Sequence, residues 1–271
     1  MPENGVELHQ QDGIAIVTLN RPKRRNALNE DVLNRLQSIA KTLKQESPRA
    51  VILTGKGREA FSAGVDVNLD NPMTSDMLEA IDSNNREAMQ GLVHRLREAV
   101  DAFIDIPSPL IAAINGNAYG AGAEIASRCD LRVMAKSAVF CFSEVTLGLM
   151  PDCGGGSKLS KLIGPARATD LILTARRVDA EEALFLGLAN RVCEDDRVLE
   201  EALALANQIA ANGPRAVKSA LSVIRQSMNQ SLEDSLAYEK KLAVSLILSG
   251  ECVHGVAAFL EKRPPEFPDT V

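Results

Sequence analysis

The apolar positions along this chain fall into two patterns, and each dominates one part of it. Toward the N-terminus the runs are short and dense. Residues 6–8 and Ile14–Leu19 flank Asp12-Gly13, a dipeptide that favours a tight turn between antiparallel strands. Asn20-Arg21-Pro22 ends the second of these strands. Asn29 is placed to cap a helix, on which Val32, Leu36, Ile39, Ala40 and Leu43 recur at helical spacing until Ser47-Pro48 stops it. Residues 50–54 form a short buried strand that leads into Gly55-Lys56-Gly57 and then into residues 61–66. Residues 70–105 are polar and then helical, with a weaker pattern. After Pro107 and Pro109, Leu110–Ile114 is unbroken apolar sequence, as expected of a strand covered on both faces. Asn115-Gly116-Asn117 turns the chain, and Gly120-Ala121-Gly122 opens a helix running to Cys129. Residues 131–134 and 138–142 read as further strands. Strand, glycine turn and helix follow one another at least twice, so this part is α/β and built of repeated units.

From Leu199 onward the spacing is helical. Leu199, Leu203, Ala206 and Ala210 share one face, and Val217, Leu221, Ile224 and Met228 mark a second helix. Ser231 caps a third that carries Leu236 and Leu242. Gly250 breaks the chain before Val256, Ala257 and Leu260. The expected organisation is therefore an α/β core over residues 1–198 and a helical region over residues 199–271, suited to packing or assembly.

Composition narrows the function. With 271 residues, 45% of them hydrophobic, the chain can build a large core and lacks the signature of disorder. A net charge of −6 and 3% aromatics without Trp argue against a nucleic-acid binder, which needs cations and stacking faces. No apolar run reaches the length of a membrane span, and the first residues show neither a signal peptide nor a transit pattern. The five cysteines are scattered and the three histidines far apart, which fits neither a disulfide framework nor a zinc site. The expectation is a cytoplasmic protein with no metal.

Several nucleotide and hydrolase motifs fail. Gly120-Ala121-Gly122-Ala123-Glu124-Ile125 begins like a dinucleotide fingerprint, but Ile occupies the third glycine position and Glu124 would repel a pyrophosphate. Gly154-Gly155-Gly156-Ser157-Lys158 lacks the spacing of a P-loop, and no Gly-x-Ser-x-Gly elbow exists. Two glycine turns and three carboxylates remain. A chain that leaves a strand through glycine into a helix presents unpaired N–H groups, and two of these aimed at one point make an oxyanion hole. Val65 and Ala121 occupy comparable places in the two turns. The plainer alternative is that Gly64 and Gly122 only permit tight turns. Glu124, in a first helical turn, is also explained by the helix dipole, Glu144 by a strand end or cap, and Asp152 by turn chemistry. Paired carboxyls near apolar walls are nevertheless what acid/base chemistry requires.

At these residues the sequence resembles the crotonase (enoyl-CoA hydratase/isomerase) superfamily, over nearly the whole chain. Asn20-Arg21-Pro22 with Asn26-Ala27-Leu28 is similar to its first motif. Residues 60–66, Ala-Phe-Ser-Ala-Gly-Val-Asp, are similar to its first oxyanion turn, and residues 109–130 to its central signature. Residues 140–156, with Glu144, Gly148 and Pro151, match the next block, and residues 258–263 the C-terminal ending. The resemblance implies an α/β spiral of ββα units followed by a helical trimerisation region, giving a homotrimer or a hexamer made of two trimers. It implies an acyl-CoA thioester as substrate, with coenzyme A belonging to the substrate and no other cofactor. The N–H groups of Val65 and Ala121 would hold the thioester oxygen. Glu124 would activate water as base, and Glu144 would deliver a proton to C2, as in hydratases that carry both residues. Arg24, Arg25, Ala27, Ala63, Gly64, Asp66, Val67 and Gly120 fall in the substrate-binding blocks, and Lys262 would reach a neighbouring subunit's site. Lys23, Arg24 and Arg25 are the cations CoA phosphates need, although charge runs are commonly solvated faces. Two alternatives stay open. Asp152, eight residues after Glu144, resembles the acid of family isomerases, so Glu144 and Asp152 could shuttle a proton in an enoyl- or dienoyl-CoA isomerase. A non-catalytic RNA-binding relative is the other, against which the −6 charge stands.

Overall fold

The computed structural model describes residues 5–268. Asp12 and Gly13 take left-handed backbone, φ 52° and 75°, as a two-residue hairpin turn requires. They join β1 (Val6–Gln11) to β2 (Ile14–Leu19) as an antiparallel pair. The Asn29 side chain accepts from the Val32 N–H at 3.1 Å and caps α1 (Glu30–Glu46). Six buried residues of that helix face the sheet side, including Val32, Leu36, Ile39, Ala40 and Leu43.

Three strand pairs then repeat one design. A strand of a large sheet is followed by a short strand of a second sheet, and a helix or turn returns the chain. The pairs are β3 (Ala50–Gly55) with β4 (Ala60–Ser62), β5 (Leu110–Ile114) with β6 (Asn117–Tyr119), and β7 (Leu131–Ala135) with β8 (Phe140–Cys141). Between them lie α2 (Pro72–Asp82), α3 (Arg86–Ile104) and α4 (Ala121–Arg128). After α5 (Gly155–Ile163), α6 (Pro165–Thr174) and α7 (Ala180–Leu186), β9 (Arg191–Cys193) completes the large sheet in the order β1-β2-β3-β5-β7-β9. The small sheet, β4-β6-β8, is parallel throughout. This is the spiral of ββα units expected above. Every residue of β3 and β5 is buried, which is why those strands read as unbroken apolar sequence.

The helical half comprises α8 (Val198–Ala210), α9 (Pro214–Ser227), α10 (Leu232–Leu248) and α11 (Glu251–Leu260). The face of α8 that covers β3, β5 and β7 is Val198, Ala202, Leu205 and Ala206, one position away from the stripe expected from sequence. Leu199 remains 40% exposed. Both stripes are apolar, and Ala202 with Ala206 lets the helix approach the sheet more closely than Leu199 and Leu203 would. Arg225 of α9 anchors the following helices to the core. Its guanidinium meets Asp130 at 2.5 and 2.8 Å and the Ile106 carbonyl at 2.7 Å. Beyond that tie α9 buries no residue fully. Leu248 is 81% and Phe259 80% exposed. Among the described residues no single helix is long and apolar enough to cross a membrane. The apolar pair α10 and α11 is bent by 71°.

Candidate active site

The first glycine turn follows β4. Gly64 has φ 89°, a conformation open to glycine. The Leu28 N–H donates to the Gly64 carbonyl at 2.8 Å, and the Asp66 N–H donates to the Leu28 carbonyl at 2.9 Å. Gly64 and Asp66 therefore face Leu28, and Val65 between them turns its own N–H to the opposite side, by the alternation of extended backbone. The second turn follows β6. Gly120, at φ 50° and ψ −128°, donates its N–H to Cys141 and accepts from the Glu124 N–H at 3.0 Å. It thereby caps α4, and Ala121 becomes a first-turn residue whose N–H has no acceptor within the helix. The two turns abut. A Cβ on Gly64 would stand 2.9 Å from the Tyr119 carbonyl oxygen and 3.1 Å from the Ala121 nitrogen. A Cβ on Gly122 would stand 2.8 Å from that of Ser62, so glycine is what seats α4 on β4.

Glu124 lies in the first turn of α4 with no exposed surface. Its Oε2 accepts from the Gly155 N–H at 2.7 Å, and a Cβ on Gly155 would fall 2.5 Å from Glu124 Cβ. Gly155 is thus fitted to a glutamate 31 residues earlier. Glu144 begins a 3-10 turn, Glu144–Leu147, and is buried. Glu124 Oε1 and both Glu144 carboxylate oxygens have no hydrogen-bond partner among the described residues. Burial first, and the neighbouring Glu144 carboxylate second, push Glu124 up to about 8. Burial also raises Glu144. Two carboxyls sharing a dry site hold one proton between them. With that proton on Glu144, the Glu124 charge is supported by the Gly155 N–H.

Asp152 stands at the rim. Its carboxyl is raised by burial and accepts from Cys153 Sγ at 3.7 Å. Polar atoms of Glu124, Asp152 and Cys153 lie within 4.8 Å of one another. Burial, followed by the charges of Glu124 and Asp152, drives the Cys153 thiol up, so it stays protonated.

The Enoyl-CoA hydratase/isomerase family profile matches residues 9–270. The chain belongs to the enoyl-CoA hydratase/isomerase family. It is 36% identical to a short-chain-enoyl-CoA hydratase of Clostridium acetobutylicum, over 98% of each chain. It is 36% identical to a 2,3-dehydroadipyl-CoA hydratase of Escherichia coli, over 95% of this chain and 96% of that one. An enoyl-CoA hydratase of Bacillus anthracis superposes with a TM-score of 0.87 at 35% identity, covering 97% of this chain and 98% of the other.

In this member of the family the two turns and the three carboxylates border one cavity of about 210 Å³. Ala63, Gly64, Val65, Val67, Gly120 and Ala121 line it at the turns, and Glu124, Glu144 and Asp152 at the acidic end. The weakly patterned segment supplies the apolar wall, through Met73 and Met77 of α2 and Leu92 and Leu96 of α3. The other expected residues do not line the cavity. Ala27 is buried behind the first turn, and its carbonyl accepts from Arg21 at 2.7 Å. The Asp66 carboxylate is taken by Arg21 at 2.9 Å and Asn68 at 2.6 Å. Arg24 pairs with Asp70 at 2.5 Å. The Arg25 carbonyl accepts from the Ala63 N–H at 2.9 Å, which holds the basic loop against the first turn. Lys262 is exposed in the turn after α11. Sequence reasoning overlooked Gly155 and did not single out the methionines within residues 70–105. The glycine run was the available signal for the first: Gly154 has φ 83°, and Gly155 leaves no room for a Cβ beside Glu124.

Proposed function

We propose that the protein is an enoyl-CoA hydratase, adding water reversibly to a trans-2-enoyl-CoA to give a 3-hydroxyacyl-CoA in fatty-acid or related acyl-CoA metabolism. The observation that carries this reading is the pair Glu124 and Glu144, buried with unpartnered oxygens beside two abutting backbone turns. The thioester oxygen sits between the N–H groups of Val65 and Ala121, which stabilise the charge it gains as the enolate forms. Water is held between the two carboxyls. Glu124, its charge supported by Gly155, takes a proton from the water as the oxygen bonds to C3. Glu144 gives its proton to C2. One O–H bond of water and the C2–C3 π bond break, one C–O and one C–H bond form, and the proton Glu124 gains balances the one Glu144 gives up, so the pair exchanges roles as general base and acid. The step needs no cofactor beyond the CoA carried by the substrate.

The proposal extends to assembly. The exposed apolar faces of α10 and α11 fit a homotrimer or a hexamer, in which Lys262 of one copy serves a neighbour's CoA while Arg24 and Arg25 meet its phosphates. The five free cysteines fit a reducing, cytoplasmic setting. An isomerase using Glu144 and Asp152 is the second reading, favoured by the place of Asp152 on the same cavity. Mass spectrometry of products from saturated, 2-enoyl, 3-enoyl and dienoyl-CoA thioesters tests the choice. The hydratase reading expects a gain of one water from 2-enoyl-CoA. A shifted double bond with no hydroxyacyl product would replace it with the isomerase.

A further inference from the structure

The cavity has two unlike ends. At one stand Val65, Ala121 and the carboxyls. At the other, Met89 and Val93 of α3 line both this cavity and a groove along the outer side of α2 and α3 that also carries Ile81 and His94. Val93 is exposed and Met89 half-buried, so no closed floor lies beyond them. Met73, Met77, Leu92 and Leu96 form the walls between the ends. Among the described residues that line the cavity there is no Lys, Arg or His. Its ionisable groups are three acids, Glu124, Glu144 and Asp152.

From this lining we infer that the protein selects a neutral acyl chain longer than crotonyl, running between α2 and α3 and out past Met89 and Val93, and that it rejects a chain of six carbons ending in a carboxylate. The inference rests on the enoyl-CoA reading for the orientation of the substrate. A four-carbon chain has only one carbon beyond C3 and leaves the methionine and leucine walls uncovered. Each further methylene is removed from water, and unbranched thioether side chains adapt to a range of lengths. The open end at Val93 sets no sharp upper limit. A carboxylate three carbons beyond C3 would instead sit among Met73, Met77, Leu92 and Leu96, short of Arg86 and Arg97 of the outer groove, where burying a charge without a partner is costly.

Binding of saturated acyl-CoAs tests the inference without turnover. Titration calorimetry would compare butyryl-, hexanoyl-, octanoyl-, dodecanoyl- and adipyl-CoA, alongside hydration of crotonyl-CoA. Affinity is expected to rise about four-fold per methylene from butyryl to octanoyl, with dodecanoyl no weaker than octanoyl. Adipyl-CoA is expected to bind at least ~10²-fold more weakly than hexanoyl-CoA, because its terminal charge is desolvated without a partner. Val93→Trp, at an exposed position, should lower the dodecanoyl-to-butyryl affinity ratio at least ten-fold. Tightest binding of butyryl-CoA, a fall from octanoyl to dodecanoyl, or adipyl within three-fold of hexanoyl would each overturn the inference. Crotonyl-CoA left unhydrated while affinity still climbs with chain length would sink the hydratase reading and leave the acyl-chain inference standing.

Discussion

Glu124 is held in place by the absence of a side chain. Gly155 donates its N–H to the carboxylate and leaves no room for a Cβ. Gly155→Ala must therefore displace Glu124 or the start of α5. We expect hydration kcat to fall by about 10²-fold or more, the scale of a misplaced acid/base group, with circular dichroism unchanged; turnover near normal would show that this packing does not set the glutamate's position. The same burial makes stability depend on pH. Glu124 is raised from its ordinary 4.5 to about 8 and Glu144 is raised beside it, so between those values the native pair keeps one shared proton that the unfolded chain has lost. Its contribution is complete below about 4.5 and is lost as pH rises through 8. Stability from this group should decline by about 1.4 kcal/mol per pH unit across that window. Urea unfolding at several pH values should show the decline, and Glu124→Gln should flatten it; an identical slope in the variant would locate the effect elsewhere. For the acids themselves, helix dipole, strand end and turn chemistry were sufficient explanations from the residues alone, and the family resemblance is what brought them out. Gly155 was not legible in the sequence, because its meaning depends on a partner far away in the chain.

At the scale of elements, the first turn of α4 carries the second proposed donor. Ala121 is the first helical residue, a position at which proline is tolerated and its missing N–H harms no helical hydrogen bond. Ala121→Pro therefore removes the donor with little damage to the helix. Hydration should fall ~10²–10³-fold in kcat, as when one oxyanion donor is lost. Steady-state kinetics on the folded variant checks this, and normal turnover would remove Ala121 from the site. The elements legible in the sequence were those with a local cause: the Asp12-Gly13 hairpin, the Asn29 cap and the unbroken apolar run of β5. The helices α5 to α7 and the strand β9 were not. Gly155 and Gly156 begin α5, Gly164 and Gly187 interrupt the pattern between helices, and β9 has three half-buried residues, too few to show a period. Residues 138–142 read as one strand, yet only Phe140 and Cys141 pair, because Ala138 closes a turn by donating to the Ala135 carbonyl.

For the whole molecule, the largest unexplained surface is apolar. Leu236, Ile247 and Leu248 of α10 and Val253, Val256 and Phe259 of α11 are exposed, more than a soluble monomer ordinarily leaves uncovered. Sedimentation should give a trimer or a hexamer, and deletion from Ser231 onward should cause dissociation or aggregation; a fully active, monodisperse monomer would contradict the proposed assembly. The central claim is that Glu124 and Glu144 together add water, and it meets its most direct test in the loss of the conjugated-enoyl absorbance of crotonyl-CoA, followed for three variants. Glu124→Gln and Glu144→Gln should each slow hydration by ~10²–10⁴-fold, and the double variant should be scarcely worse than either, because both side chains hold one water and act as a unit. Asp152→Asn should have little effect. Hydration at the unsubstituted rate by Glu124→Gln, beside an inactive Asp152→Asn, would contradict the account and transfer the chemistry to Glu144 and Asp152.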